Sequence, residues 1–115
     1  GKVLPDMTNN IKCGNSLISR EDLFSNNMFG TTNIEAFDWK KEFPFDGFDC
    51  IIGNPPYIRI QELQKWASEE VELYKKIYKS GAKGNFDIYI LFIEKGLNLL
   101  KPKPTLPRRM THFLR

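Results

Sequence analysis

Cysteine and histidine are scarce in this 115-residue sequence, which contains two cysteines and one histidine. Two cysteines are too few for a disulfide scaffold, and Cys13 and Cys50 form no metal-ligand spacing with His112. We therefore expect both thiols to be reduced and to lie in the core. Long apolar runs are also missing, and the longest clear one, Ile88–Ile93, is too short for a signal peptide or a membrane span. A cytoplasmic protein without a membrane partner is expected.

The residues that are present have the balance of a globular domain, with 41% hydrophobic and 27% charged side chains. The net charge of +3 hides an asymmetry: residues 1–50 hold 5 Lys or Arg against 8 Asp or Glu, whereas residues 51–115 hold 12 against 6. Four lysines of the basic half lie close together, namely Lys75, Lys76, Lys79 and Lys83. They suit contacts with nucleic-acid phosphates, but an ordinary solvated helix face explains them equally well.

Two short apolar stretches predict β-strands that each end in a polar loop. The first is Ile11–Cys13, which precedes Gly-Asn-Ser, and the second is Phe48–Ile52, which precedes Gly-Asn-Pro-Pro. The two prolines remove backbone donors and end the second strand, so the loop after it should be stiff. Residues 16–47 predict loop with a turn or two of helix, because Asn, Gly and Pro interrupt the aromatic residues there.

Helical periodicity follows in the basic half. Ser68 is the predicted N-cap of a helix that has Glu69 and Glu70 in its first turn. The sequence Lys-Ser-Gly at residues 79–81 is expected to close this helix.

A second helix is predicted from an apolar stripe that begins at Ile88 and ends at Leu100, before Pro102. Asn85 or Asp87 is expected to cap it. Periodicity alone would also allow the start of the stripe to be a buried strand, but its total length favours a helix.

The Asn-Pro-Pro-Tyr segment contains the groups with the clearest chemistry. The side-chain oxygen of Asn54 and the carbonyl of Pro55 are acceptors in a loop that Pro56 also stiffens, and together they suit the two hydrogens of an exocyclic amine. Two such acceptors help to pyramidalise an aromatic amine as positive charge develops on its nitrogen, so methyl transfer needs no strong base. Tyr57 offers a face on which a flipped-out base can stack. These four residues are our candidate catalytic residues.

A bare turn is the alternative interpretation of this segment, since Asn and Pro both favour turns. The four-residue string arises by chance in on the order of one chain of this size per several thousand. Because it also follows a predicted strand, we favour the methyl-acceptor interpretation.

Three segments resemble motifs of a known family, the restriction-modification adenine methyltransferases, especially the type II enzymes with a fused or partnered endonuclease. Residues 48–57 with the continuation Ile-Arg-Ile-Gln resemble motif IV, residues 11–18 are similar to motif III, and residues 84–95 resemble motif V. The resemblance implies S-adenosylmethionine as the methyl donor. It also implies double-stranded DNA with a flipped adenine as the substrate.

The resemblance suggests two residues for binding the donor. Asn15 stands where motif III usually has an acidic residue that contacts the adenine of the donor, and its amide oxygen could still accept a hydrogen bond from an amino group. A turn asparagine is the alternative. Phe92 in motif V is the candidate for lining the donor's adenine pocket, with plain helix core as the alternative that its place on the apolar stripe favours.

One part of the family's donor site has no counterpart in this sequence. None of the eight glycines forms the Gly-x-Gly loop that holds the methionine part of the donor. The family fold is a seven-stranded, mostly parallel sheet with helices on both faces, and two strands between motifs III and IV would be missing here. We therefore expect an α/β fold with a partial, incomplete Rossmann-like methyltransferase sheet, whose open strand edges predict self-association.

The end of the sequence departs from the family. Residues 1–102 are the predicted partial catalytic domain, and residues 103–115 are an atypical tail in which Pro104 and Pro107 oppose a central strand. We hypothesise a truncation or an altered reading frame near Lys103.

The predicted function is S-adenosylmethionine-dependent methylation of adenine N6 in DNA, within a restriction-modification system, by an enzyme of which this chain is a fragment. An endonuclease or a specificity region would accompany it in the parent protein. One alternative is a methyltransferase that acts on protein glutamine or RNA guanine, against which the motif V pattern argues. The other is a non-catalytic nucleic-acid-binding or interaction remnant, which the missing glycine loop supports.

Overall fold

The computed structural model describes residues 5–43, 46–82 and 86–101, and the backbone of residues 111–113. The chain divides into two compact units, residues 1–44 and residues 45–115, and each has buried apolar residues of its own. No helix within these described ranges is long and apolar enough to cross a membrane.

The first unit contains two short helices, α1 (Arg20–Ser25) and α2 (Trp39–Glu42). A capping box begins α1: Ser19 Oγ accepts a hydrogen bond from the backbone N–H of Asp22, whose carboxylate accepts one from the backbone N–H of Ser19. These helices confirm the expectation of mostly irregular chain with a turn or two of helix. The buried apolar residues of this unit are Leu17, Ile18, Leu23 and Phe37.

The strand predicted at Ile11–Cys13 is wrong. These residues adopt no strand, and Ile11 is 65% exposed. One isolated parallel bridge joins Asn15 to Ala36, so within the described part of this unit the stretch has no strand beside it to pair with or to bury it.

The expected core position of the two thiols is also wrong, because Cys13 and Cys50 are both free and exposed. Cys13 belongs to the exposed stretch at residues 11–13, which has no partner strand within the described part of its unit. Cys50 comes immediately before the first paired residue of the strand described next.

The second unit contains a pair of parallel strands, β1 (Ile51–Gly53) and β2 (Thr111–Phe113). The strand predicted at residues 48–52 is confirmed only at its end, since Phe48 forms a single parallel bridge with Leu100 instead of joining the strand. The strand β2 belongs to the predicted atypical tail, whereas the tail's prolines lie outside the described residues. The division of the chain at residue 102 stays a prediction.

Three helices and one 3₁₀ turn lie between these strands: α3 (Ile60–Gln64), α4 (Ser68–Ile77), the turn at Lys79–Gly81 and α5 (Tyr89–Leu99). The helices α4 and α5 were predicted from periodicity and are confirmed, whereas α3 was not predicted. The buried apolar residues of the unit are Ile60, Leu63, Val71, Leu73, Tyr74, Tyr78, Phe86, Ile88, Leu91 and Leu100.

Neither Ser68 nor Asp87 is the observed N-cap of its helix, although each lies one residue from it. Ser68 is not the N-cap, because the carbonyl of Ala67 accepts the first helical hydrogen bond, from Val71 N–H at 3.1 Å, and Ser68 is already helical. Asp87 is not the N-cap of α5, because that position is Ile88, but its Oδ1 accepts a hydrogen bond from the N–H of Tyr89, the first residue of α5, at 3.1 Å. The other predicted cap, Asn85, lies outside the described residues.

Parallel strands separated by helices are consistent with an incomplete α/β domain. The sheet has two strands within the described residues, so the partial Rossmann-like sheet stays a prediction.

Candidate active site

The Asn-Pro-Pro-Tyr segment leaves the carboxyl end of β1 as extended chain. Pro55 is buried, whereas Asn54, Pro56 and Tyr57 are exposed. Pro55 therefore anchors the loop, and because neither proline has a backbone N–H, neither can extend the β-ladder as a donor. The side chain of Asn54 makes no hydrogen bond within the described part of the chain and faces solvent.

The far end of this loop is fixed by a short antiparallel pairing. Ile60 N–H donates to the Phe86 carbonyl at 2.9 Å, and Ile88 N–H donates to the Ile58 carbonyl at 3.0 Å. These two hydrogen bonds flank one antiparallel bridge between Arg59 and Asp87. We call residues 58–60 with residues 86–88 the β-clasp, and it ties the loop to the segment from which α5 begins.

The ring of Tyr57 contacts the ring of Tyr89 at the start of α5. The two ring centroids are 5.2 Å apart and the ring planes differ by 31°, while Tyr57 remains 42% exposed. The candidate stacking residue is thus supported by a second aromatic ring and still has accessible surface.

A cavity of about 280 Å³ lies beside the β-clasp and is lined by Arg59, Gln61, Phe86 and Asp87. Its lining combines a guanidinium, an amide, a carboxylate and an aromatic ring. Gln61 and Arg59 come from the Ile-Arg-Ile-Gln continuation of the segment. No group of side chains suited to hold a metal ion occurs among the described residues.

Phe92, the predicted contact to the donor, is a half-buried residue of α5. It follows Tyr89 by three positions, and residues at this spacing are neighbours on a helix surface. Its partial exposure is compatible with a ligand contact and with membership of the apolar stripe, so its role stays a prediction.

Asn15 belongs to the first unit and is half-buried. Its Oδ1 accepts a hydrogen bond from Leu17 N–H at 3.0 Å, and its backbone N–H donates to the Glu35 carbonyl at 2.7 Å. The side chain therefore already closes a turn, as the turn alternative requires, and contact with a donor stays a prediction. A cavity of about 450 Å³ in the same unit is lined by Cys13 and Arg20, among other residues, but not by Asn15.

The lysines of the basic half divide along the chain. Lys75 and Lys76 lie in the last turn of α4, and Lys79 begins the 3₁₀ turn, whereas Lys83 lies outside the described residues. Lysines at a helix carboxyl end interact favourably with the helix dipole, so both explanations of this cluster remain open.

Three features of this region were not predicted from the sequence. They are the β-clasp, the contact of Tyr57 with Tyr89, and the hydrogen bonds that the Glu94 carboxylate of α5 accepts from the backbone N–H groups of Lys79 and Ser80 at 3.1 and 2.8 Å. Alternation of apolar residues at positions 58, 60, 86 and 88 was the available signal for the β-clasp. No local sequence pattern predicts the hydrogen bonds between Glu94 and the turn at residues 79–81.

Known protein sequences match most of this chain. The model of the Eco57I restriction-modification methylase family matches residues 3–106. The type II restriction enzyme and methyltransferase RM.Eco57I of Escherichia coli is 39% identical over an alignment of 105 residues, and the match covers 86% of this chain and 9% of that protein. The type II methyltransferase M.TthHB8I of Thermus thermophilus is 39% identical over an alignment of 66 residues, and the match covers 55% of this chain and 15% of that protein.

A third relative is the type II methyltransferase M.BstVI of Geobacillus stearothermophilus, which is 37% identical over 59 residues, or 51% of this chain and 10% of that protein. No solved structure matches the chain significantly. The chain thus spans between 9% and 15% of the length of these three relatives. The family match covers the strand β1, the Asn-Pro-Pro-Tyr segment and the helices up to α5, and the chain belongs to the Eco57I restriction-modification methylase family.

Proposed function

We propose that this chain is the part of a DNA adenine-N6 methyltransferase that receives the target base. The observation that carries the proposal is the form of the loop after β1, in which buried Pro55 anchors the chain while Asn54 and Tyr57 stay accessible. A rigid loop with an exposed side-chain acceptor and one exposed ring is suited to an aromatic amine.

In the proposed mechanism, the Asn54 side-chain oxygen and the Pro55 carbonyl accept hydrogen bonds from the two hydrogens of the adenine amine. During methyl transfer the N–C bond would form as the S–C bond of a bound donor breaks, so positive charge would move from the sulfur to the amine nitrogen, and both acceptors would stabilise it there. The methylated amine would then release one proton to solvent. Pro56 limits the motion of the loop so that the acceptors need not reorganise during the reaction. Tyr57 stacks against the flipped adenine and offsets part of the stacking lost from the duplex.

We propose S-adenosylmethionine as the donor, which supplies an electrophilic methyl group on a positively charged sulfur when bound. Phe92 has the partial exposure that an aromatic contact to its adenine needs, whereas the Oδ1 of Asn15 already accepts one hydrogen bond within its turn. Asn15 belongs to the first unit and Phe92 to the second, and each is proposed separately as a contact to the donor. The glycine loop is lacking, so this chain would supply only part of the donor site, in a partial Rossmann-like sheet.

The proposed substrate is double-stranded DNA from which the adenine is flipped, and such a substrate implies a cytoplasmic enzyme. Lys75, Lys76 and Lys79 are candidates for phosphate contacts. The E. coli relative is named as both a restriction enzyme and a methyltransferase, which supports an endonuclease or a specificity region in the parent protein. Self-association through strand edges also remains part of the proposal.

The test begins with calorimetric titration of the 115-residue chain, and of a longer protein that contains it, with S-adenosylmethionine. Methyl transfer to an adenine-containing duplex is then measured, beside ribosomal RNA and glutamine-containing protein as competing acceptors. We expect N6-methyladenine in the DNA product. Donor binding with methylation of only RNA or protein would overturn the choice of acceptor, and a folded protein without donor binding would favour the non-catalytic remnant.

Asn54→Ala is the decisive variant. Loss of one of two preorganised acceptors is expected to lower the methylation rate by about 10²- to 10³-fold. Asn98→Ala is the matched control, because Asn98 is an exposed asparagine on α5 in the same unit, and we expect it to retain the wild-type rate. Equal rates for the two variants would contradict the proposed role of Asn54.

A further inference from the structure

The β-clasp aligns two pairs of side chains. Its two hydrogen bonds, Ile60 N–H to Phe86 O and Ile88 N–H to Ile58 O, lie on either side of the bridge between Arg59 and Asp87. In antiparallel pairing this pattern defines a non-hydrogen-bonded pair, whose side chains lie close together on one face. Arg59 and Asp87 are therefore neighbours across the β-clasp.

Tyr57 directly precedes one segment of the β-clasp, and Tyr89 directly follows the other as the first residue of α5. Because the two segments run antiparallel, both residues lie at the same end of the β-clasp. Their ring centroids lie 5.2 Å apart with an interplanar angle of 31°, inside the separation that aromatic pairs favour.

Tyr89 is held more firmly than Tyr57. It is the first residue of α5, its backbone N–H is bonded to Asp87 Oδ1 at 3.1 Å, and Leu91 two positions later is completely buried. Tyr57, by contrast, belongs to an extended loop and is 42% exposed. The helix therefore provides a fixed ring against which the loop ring rests.

A base that stacks on a mobile ring must first restrict that ring, and this cost is subtracted from the stacking free energy. From this geometry we infer that Tyr89 is a positioning residue, whose ring holds Tyr57 in the orientation that receives the flipped base. The inference rests on the proposed function and deepens it. It also links the base-receiving loop mechanically to α5, the helix that carries Phe92.

The inference predicts a graded series of variants. Tyr89→Leu removes the ring but retains apolar volume, and aromatic pair energies correspond to a loss of about threefold to tenfold in the fraction of flipped base. Tyr89→Phe retains the ring contact and is expected to restore most of that loss. Ile90→Ala, at an exposed neighbouring position of α5, is the control and should behave as wild type.

Base flipping is measured by the fluorescence of 2-aminopurine placed at the target position of a DNA duplex, together with the methylation kinetics. We expect Tyr89→Leu to lower the flipped fraction and kcat together, with unchanged affinity for S-adenosylmethionine. An unchanged flipped fraction in a folded Tyr89→Leu protein would overturn the inference. A merely structural role would instead weaken donor affinity and flipping alike.

A second measurement needs no DNA and so separates the inference from the proposed function. Tyrosines are labelled with 3-fluorotyrosine, and the ¹⁹F signal of Tyr57 is assigned with a Tyr57→Phe variant. Increased ring motion at Tyr57 in Tyr89→Leu, but not in Ile90→Ala, supports the positioning role even if wild-type protein leaves 2-aminopurine stacked. Unchanged motion of the Tyr57 ring in Tyr89→Leu would contradict the positioning role of Tyr89, whether or not the protein methylates DNA.

Discussion

The chain contains two Gly-Asn loops that are fixed in opposite ways. At Gly14-Asn15 the asparagine itself closes the turn, because its Oδ1 accepts a hydrogen bond from Leu17 N–H at 3.0 Å. At Gly53-Asn54 the neighbouring buried Pro55 anchors the loop, and the asparagine side chain stays exposed.

Asn15 thus has a structural role in its turn, whereas Asn54 has a side chain that is accessible to a ligand. A side-chain acceptor that already satisfies a backbone donor has less capacity for a ligand. When proline restricts the backbone instead, the adjacent asparagine keeps its full acceptor capacity. The asparagines of the two Gly-Asn pairs therefore differ in the acceptor capacity that is left for a ligand, because different neighbours hold the two loops.

The loop fixed by proline is tested by replacing each proline in turn. Pro55→Ala is expected to lower the free energy of unfolding of the second unit by about 1–2 kcal/mol, because it removes buried apolar surface and frees the unfolded backbone. Pro56 is exposed, so Pro56→Ala should lower the free energy of unfolding by only about 0.5–1 kcal/mol. This loss comes from the greater conformational entropy of the unfolded chain when the proline is removed. Urea unfolding of both variants measures the difference, and equal losses would show that burial of Pro55 does not anchor the loop.

The loop fixed by asparagine is tested in the first unit. Asn15→Ala removes the acceptor for Leu17 N–H and is expected to lower the free energy of unfolding of this unit by about 1 kcal/mol. Asn15→Asp keeps an oxygen at the same position and should cost less. Fluorescence of Trp39 reports on this unit, since its indole N–H donates to the Ser16 carbonyl at 3.0 Å. If Asn15→Ala unfolds at the same urea concentration as wild type, the turn does not depend on its side chain.

A third loop, the 3₁₀ turn at Lys79–Gly81, is fixed from a distance by Glu94. Desolvation raises the pKa of the Glu94 carboxyl, but the hydrogen bonds from Ser80 and Lys79 and the charge of Lys79 outweigh it, so this pKa lies below the usual 4.5. A lowered folded-state pKa contributes stability that is present above the unfolded-state pKa and is lost as the pH falls through the folded-state value.

We therefore expect Glu94→Gln to destabilise the second unit by about 0.5–1 kcal/mol at pH 7, a value kept small because the carboxylate is largely solvated. The difference between wild type and variant should shrink as the pH drops below 4.5. Urea unfolding of both proteins at pH 7 and pH 3 measures it. A difference that stays constant across this range would exclude the Glu94 charge as its source.

Prediction from sequence succeeded where the signal was local. Periodicity identified α4 and α5, and the strand predicted to end at Ile52, before Gly-Asn-Pro-Pro, ends one residue later at Gly53. It failed at residues 11–13, because a short apolar stretch becomes a strand only if another strand lies beside it. Cys13, expected in the core, is exposed for the same reason, since no strand pairs with residues 11–13 in the described part of its unit.

The candidate site shows the same division. The residue types at positions 54–57 and their order after a strand are properties of the sequence, and they were sufficient to name a base-receiving loop as a hypothesis. The contacts that hold this region in place join residues far apart in the sequence. Tyr89 contacts Tyr57 from 32 positions away, and Glu94 accepts hydrogen bonds from Lys79 and Ser80, which are 15 and 14 positions away.

The sequence by itself determined the two periodic helices, the stop at the prolines and the chemistry available in the Asn-Pro-Pro-Tyr segment, because these depend on backbone preferences and on side chains close in the chain. Tertiary structure alone decided that β1 pairs in parallel with residues 111–113, that the β-clasp fixes the loop, and that Tyr89 supports Tyr57. Such contacts join residues far apart in sequence, and their formation depends on how the intervening helices pack.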